Sequence, residues 1–303
     1  MHCQDQGELE RMATLLEATG KYWILRRLEP RAVYDAPDGS VIHCGVFLDV
    51  ETTGVDPATD EIVELAMVPF DFASDGRIFA VHEPFGRLRD PERPIPPDVV
   101  ALTGITDEMV AGQSIDPAEV EAFLGNGAVV LVVAHHAGFD RAFAERFCGA
   151  FARLPWACSW REIPWTDEGF ANGTKLANLA AGCGFFHVGH RAVDDCRAGV
   201  ELLSRRLPRS GRRAFDVLLE SARTPQWRIR AVGAPFELRE VLKARGYRWD
   251  PGENGRPRAW FVDVSGDALE AERDFLRKEI YRRDELDIDA RRIDAYDRYS
   301  DRS

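Results

Sequence analysis

The sequence predicts an α/β layer fold, a mixed sheet with helices on both faces, followed by a small α+β module. Three observations predict it. The segments VIHCGVFLDV (41–50), EIVELAMVPFDF (61–72) and RIFAVHEPF (77–85) read as strands, the last two joined by the short turn ASDG, the pattern of antiparallel hairpins. The run AVVLVVA (128–134) is apolar at every position, as in a strand covered on both faces. Helical and extended segments then alternate, giving a β-α-β-α order after the hairpins.

Residues 8–20 place Leu9, Met12, Leu15 and Leu16 at helical spacing, and Tyr22–Leu28 reads as a strand; with the turn-rich stretch that follows, residues 1–40 form an extension expected to pack on something else. The larger domain is expected over 41–207. Within it, helices are expected at 117–125, 139–151, near 175–182 and at 192–207, with a short strand at 156–159. Residues 208–303 form the C-terminal module: a helix at 214–222, a strand at 227–233, a helix at 236–246, a hairpin turning through 251–257, a helix at 268–283, and a docked or frayed tail.

The chain has 303 residues, 45% of them hydrophobic, which is enough for a full core. No apolar run approaches the ~18 residues that span a bilayer, and the N-terminus lacks a signal-peptide layout, so a cytoplasmic location is expected. A net charge of −12 argues, taken whole, against a simple nucleic-acid binder. Its distribution argues otherwise: residues 1–204 carry 16 basic and 32 acidic side chains, whereas residues 205–263 carry 14 and 7. The six cysteines form no CxxC pair and read as reduced thiols. Cys183, His187, His190 and Cys196 are potential zinc ligands, but their spacing matches no common zinc module.

The local chemistry concentrates in carboxylates. In F47-L48-D49-V50-E51-T52-T53-G54, Asp49 and Glu51 stand at i and i+2 on a strand and therefore point to one face. Side by side they repel unless a cation lies between them, and a divalent ion held by hard oxygen ligands answers that need. Asp140 follows the strand and turn V133–F139 at a helix start. Asp195 stands five residues after His190 as another helix begins; singly, each fits ordinary capping.

In order and spacing, Asp49 and Glu51, then Asp140, then His190 with Asp195 resemble the three motifs of the DEDDh 3′–5′ exonucleases, above all the epsilon proofreading subunit of bacterial DNA polymerase III and its free-standing relatives. L102-T103-G104-I105-T106 also resembles a segment of that branch, and the likeness runs from about residue 44 to 207. It implies a ribonuclease H-like exonuclease fold. It further implies that Asp49, Glu51, Asp140 and Asp195 hold two Mg²⁺ or Mn²⁺ ions about 3.5–4 Å apart, one activating a water and one stabilising the departing 3′ oxygen. His190 is then the general base. Thr52, Leu102 and Thr103 are implied to lie beside the terminal nucleotide, although a Thr after a strand is equally good turn chemistry. His136 departs from the family, which commonly carries Asn there; a hydrogen bond to the DNA backbone or to a neighbouring loop, and a pH-dependent charge near the metals, are expected of it.

The expected activity is metal-dependent removal of nucleotides from a DNA 3′ end, single-stranded or mismatched, with a DNA polymerase as a possible partner. The alternatives are RNA trimming, as in the similar ribonuclease T and oligoribonuclease branches, and a catalytically idle scaffold that binds nucleic acid or a polymerase. The C-terminal module lies outside the likeness; its arginines suit phosphates, while Trp249 and Trp260 fit either base stacking or a small core.

Overall fold

The fold is built outward from one strand. In the computed structural model, which describes residues 6–126, 129–252, 257–300 and 302, β2 (His43–Thr52) lies between β3 (Ile62–Phe72), antiparallel, and β6 (Val129–Ala134), parallel. The sheet runs β4 (Ile78–Val81), β3, β2, β6, β7 (Trp156–Cys158), with β5 (Phe85–Leu88) pairing with β3 beside β4. The third hairpin strand is thus two pieces rather than the single one expected over 77–85. The break falls at His82-Glu83-Pro84, where proline lacks the N–H that a ladder needs.

Alternation along β2 sorts the helices into layers. Val46, Leu48 and Val50 face a core shared with α4 (Pro117–Asn126) and α5 (Ala137–Phe147). Phe47 faces the opposite core, shared with α6 (Leu176–Gly182), α7 (Ala192–Ser204) and α8 (Ala214–Arg223). By the same period of two, Asp49 and Glu51 point toward the α7 layer. A third, smaller cluster of Val63, Ile95, Ile105 and Val110 fastens α2 (Pro97–Thr103) and α3 (Asp107–Val110) onto β3. Coverage of β6 is complete except at its start, where Val130 is 45% exposed.

One glycine sets how closely α7 lies on β2. A Cβ at Gly199 would meet the fully buried Phe47 ring at 2.1 Å, so neither side can yield. Asp195 lies one turn earlier on the same helix face. Gly199→Ala is therefore expected to destabilise the protein by about 1–3 kcal/mol through overpacking and to lower activity by lifting Asp195 from its neighbours. Thermal unfolding and activity measured on the same preparation check both effects.

The N-terminal extension begins with α1 (Gln6–Ala18), whose Leu9, Met12, Leu15 and Leu16 stay exposed. The expected strand over 22–28 shrinks to β1 (Arg26–Arg27), parallel to β8 (Phe185–Phe186). Tyr22 and Trp23 are exposed, so nothing supplies the burial that would extend pairing toward them.

The helix Ala214–Arg223, grouped by sequence with the basic segment, packs instead into the larger body: Phe215 lies edge-on to Phe70 and Phe72 at 5.3 and 5.0 Å. The smaller sheet follows, in the order β10 (Arg248–Asp250), β11 (Ala259–Ser265), β9 (Gln226–Val232), β12 (Ala290–Ile293). Its apolar face, including Ile229, Ala231 and Trp260, is covered by α9 (Arg239–Ala244), α10 (Leu269–Phe275) and the wider π-type turns of Leu276–Tyr281. Trp260 therefore belongs to a small core. The hairpin turn expected at 251–257 lies partly outside the described residues.

The tail is docked. The Ala295 carbonyl accepts the Trp156 N–H at 2.8 Å beside the outer strand β7, and the buried Arg141 guanidinium donates to the carbonyls of Ala295, Tyr296 and Arg298. Arg298 and Glu162 form an ion pair at 2.8 Å with only 5% and 6% of their side chains exposed. Because Arg298→Ala would take the counter-charge from a buried carboxylate that keeps its hydrogen bonds from Cys158, Ser221 and Tyr299, a loss of about 3 kcal/mol is expected in urea unfolding; a loss below about 1 kcal/mol would place the docking energy elsewhere. No helix among the described residues is long and apolar enough to cross a membrane.

Candidate active site

The site forms where β2 ends. A bulge between Glu51 and Thr52 turns the strand at its last acid, a common device beside functional sites. A carboxylate oxygen from each of Asp49, Glu51 and Asp195 lies within 4.8 Å of the other two; among the described residues no other cluster of potential metal ligands is so close. Asp140, buried in the first turn of α5, stands beside this trio, its Oδ1 accepting the Val50 N–H at 3.3 Å. Three of the four expected acids thus meet directly, and the fourth is tied to the backbone between the first two.

The electrostatics of the cluster are those of crowded anions. Burial, followed by the charges of Asp140, Asp195, Glu51 and Glu64, holds the Asp49 carboxyl well above the usual range. Burial and the neighbouring Asp195, Glu64 and Asp140 push Glu51 up to about 8, with Arg191 pulling the other way. Asp140 is pushed up to about 7 by burial, against the backbone N–H groups that stabilise its charge. Convergent carboxylates with too little nearby positive charge are the donor set of a hard divalent cation, and these residues fit one.

His190 stands over this cluster. Its side chain is half exposed, and its Nδ1 lies 4.0 Å from Glu51 Oε1. The backbone there has φ 61°, in the left-handed region that a non-glycine residue adopts at a cost. Two hydrogen bonds just beyond hold that conformation: Asp195 Oδ2 accepts the Arg191 N–H at 3.0 Å, and Glu64 Oε2 accepts the Ala192 N–H at 3.2 Å.

Two of these residues were not anticipated as part of the site. Glu64 sits opposite Glu51 in the β2–β3 ladder and is buried. Like charges so placed repel, and the positive end of α7 together with Arg191 offsets this. The signal was present: Glu64 is the lone charge in the apolar run from Ile62 to Phe70. His187, weighed only as a zinc ligand, directs Nε2 to Asp195 Oδ1 at 3.0 Å with 4% of its side chain exposed. Cys196 meanwhile places Sγ 3.7 Å from the Ala66 carbonyl oxygen.

The remaining expected residues divide. Thr52 donates its hydroxyl to the Gly54 carbonyl at 2.5 Å, closing its own turn. Thr103 donates to the Val99 carbonyl and accepts the Ile105 N–H, so its hydroxyl is engaged in its own helix end. Leu102, by contrast, is 59% exposed. His136 precedes α5 with its ring edge-on to Trp160 at 4.8 Å and stacked on Phe139. Burial and then Arg161 lower its pKa.

Acidic side chains converge at the end of the central strand of a mixed sheet with helices on both faces, the α/β architecture expected of a ribonuclease H-like exonuclease fold. Residues 46–203, just over half of the chain, match the RNase_T family, described as Exonuclease, and the chain belongs to that family. It is 30% identical over 165 residues to the DNA polymerase III subunit epsilon of Treponema pallidum, covering 73% of that protein and 52% of this one. It is 32% identical over 170 residues to the PolC-type DNA polymerase III of Thermotoga petrophila, but this spans 53% of the chain and only 12% of that polymerase. A putative bifunctional exonuclease/endonuclease protein of Mycobacterium tuberculosis is 34% identical over 192 residues, 58% of this chain and 28% of that one. Among solved structures, E. coli exonuclease I in complex with a dA16 oligonucleotide aligns at a TM-score of 0.46 with 17% identity, over 78% of this chain and 68% of that one.

Proposed function

We propose that this protein hydrolyses DNA from its 3′ end, releasing nucleotides one at a time, with Asp49, Glu51, Asp140 and Asp195 holding two Mg²⁺ or Mn²⁺ ions. The observation that carries the reading is the meeting of Asp49, Glu51 and Asp195 oxygens within 4.8 Å, with His190 Nδ1 4.0 Å from Glu51. The ions supply Lewis acidity, easing loss of a proton from water and offsetting charge on the leaving oxygen.

The chain's own residues do the rest. His190, half exposed above the acids, accepts the proton of the attacking water as its oxygen bonds to the terminal phosphorus. The P–O3′ bond breaks, the departing O3′ takes a proton from solvent to become the strand's new 3′-hydroxyl, and the released nucleotide carries the 5′-phosphate. His187 and the Arg191 N–H fix both oxygens of Asp195. Leu102, exposed on α2, offers an apolar edge to the terminal base. The likeness to an epsilon subunit and to PolC-type polymerases supports DNA as substrate and a polymerase as partner.

The test uses 5′-labelled single-stranded DNA, duplex DNA with a mismatched 3′ end, and RNA, each with Mg²⁺ or EDTA. A ladder shortening from the 3′ end of DNA, only with metal, is expected. Shortening of RNA alone moves the substrate to RNA, shortening from the 5′ end overturns the polarity, and binding without cleavage leaves only a scaffold.

A further inference from the structure

The smaller sheet turns its apolar face to its own helices and its polar face to the larger body, and between the two lies a cleft of about 770 Å³. The ladder pairs Arg248 with Phe261 and Arg228 with Asp263, which puts these four side chains on the cleft face by alternation. Phe261 is flanked there by two guanidiniums, Arg228 at 4.4 Å and Arg248 at 4.7 Å from its ring centre. A single carboxylate, Asp263, serves both arginines, leaving one positive charge in excess. Asp250 is taken by Arg230, and Glu162 by Arg298. The opposite wall carries Arg161, exposed, lying over the Trp160 ring at 4.9 Å and in no ion pair among the described residues. That wall also carries His136, which caps α5 four positions before Asp140.

We propose that this cleft is a track for single-stranded nucleic acid leading to the carboxylate site, an inference that rests on the reading of that site as a nuclease. Planar arginine-aromatic layers give unpaired bases a surface to stack on, and guanidiniums on both walls meet the phosphates between them. His136 lines the cleft and its carbonyl accepts the Asp140 N–H at 3.2 Å, so one end of the cleft reaches the helix start that carries an acid of the site. A duplex buries its base faces and gains nothing from these arginine-aromatic layers, so the strand is the occupant that uses both features.

Binding is read in EDTA by fluorescence anisotropy, with an end-labelled oligothymidylate of about 15 nucleotides and a labelled trinucleotide. Arg161→Ala and Arg248→Ala stand on opposite walls, and Arg228 still pairs with Asp263 when Arg248 is removed. Each variant is expected to weaken the longer strand about tenfold, flatten its salt dependence by about one unit of slope, and shrink its advantage over the trinucleotide. No measurable binding by the unaltered protein, or affinities within twofold of it in both variants, overturns the track. Because nothing is cleaved in EDTA, the two readings fail separately. A protein that binds through the cleft but degrades nothing keeps the track and loses the nuclease reading; one that degrades DNA with both variants unaffected does the reverse.

Discussion

Asp49→Asn is expected to reduce metal-dependent hydrolysis about a thousandfold or more while raising the melting temperature of the metal-free protein. The first effect is the loss of several kcal/mol of charge stabilisation in the transition state. The second follows from the crowding at the end of β2. Glu51, ordinarily near 4.5, sits at about 8 in the folded chain, and Asp49 is also held well above its usual range. A carboxyl raised in this way binds its proton more tightly folded than unfolded. Its contribution to stability is therefore complete below the unfolded value and is lost as pH rises through the folded one. Without metal, the protein is expected to lose stability between about pH 4.5 and 8. A divalent cation competes with those protons, so its stabilising effect grows with pH. Asparagine at 49 removes one of the repelling charges: above neutral pH the metal-free variant melts higher than the unaltered protein, and added Mg²⁺ shifts it far less. Melting curves at pH 6 and pH 8, with Mg²⁺ and with EDTA, measure all of this. A variant that melts lower without metal and retains activity would contradict the assignment.

That a stability gain accompanies an activity loss also explains which parts of the site were legible. Asp49 and Glu51 could be placed because a strand's period of two is written into the chain, and the apolar residues around them left one orientation. Asp195 was legible only with its motif, since a carboxylate in a first helical turn has a sufficient local explanation in capping. Glu64 and His187 were passed over because their roles lie in partners 128 and 8 residues away, fixed by how α7 seats on the sheet. Gly199 decides that seating, yet nothing near it in sequence says that Phe47 will lie beneath. The helix Ala214–Arg223 follows the end of the family likeness near residue 207 and so reads with the C-terminal module, whereas its packing is decided by Phe215, Leu218 and Leu219, which fill the larger core. The tail's fate depended on Arg298 meeting Glu162, a pairing across 136 residues that charge composition alone does not specify.

The two histidines near Asp195 are expected to separate by the kind of loss each produces. Replacing His190 by glycine removes the proton acceptor and is expected to lower kcat about 10²–10⁴-fold. Its effect on stability should stay within about 1 kcal/mol, because glycine adopts the left-handed backbone of that position without the steric cost and gives up some of the gain as chain entropy. The side chain is half exposed, so free imidazole can enter the vacated space and is expected to restore part of the rate. His187→Ala acts through Asp195 instead. It removes a hydrogen bond from a carboxylate in a buried setting, which costs about 1–3 kcal/mol of stability, and it loosens one oxygen of a metal-binding group. Activity should then fall together with metal affinity, higher Mg²⁺ should recover it, and imidazole should not, since the 4% exposed position gives it no entry. Titrating each variant with Mg²⁺ and with imidazole distinguishes proton transfer at His190 from positioning at His187. If the His190→Gly variant keeps its rate within threefold of the unaltered protein, the proton goes elsewhere and the left-handed backbone at that position serves only to start α7.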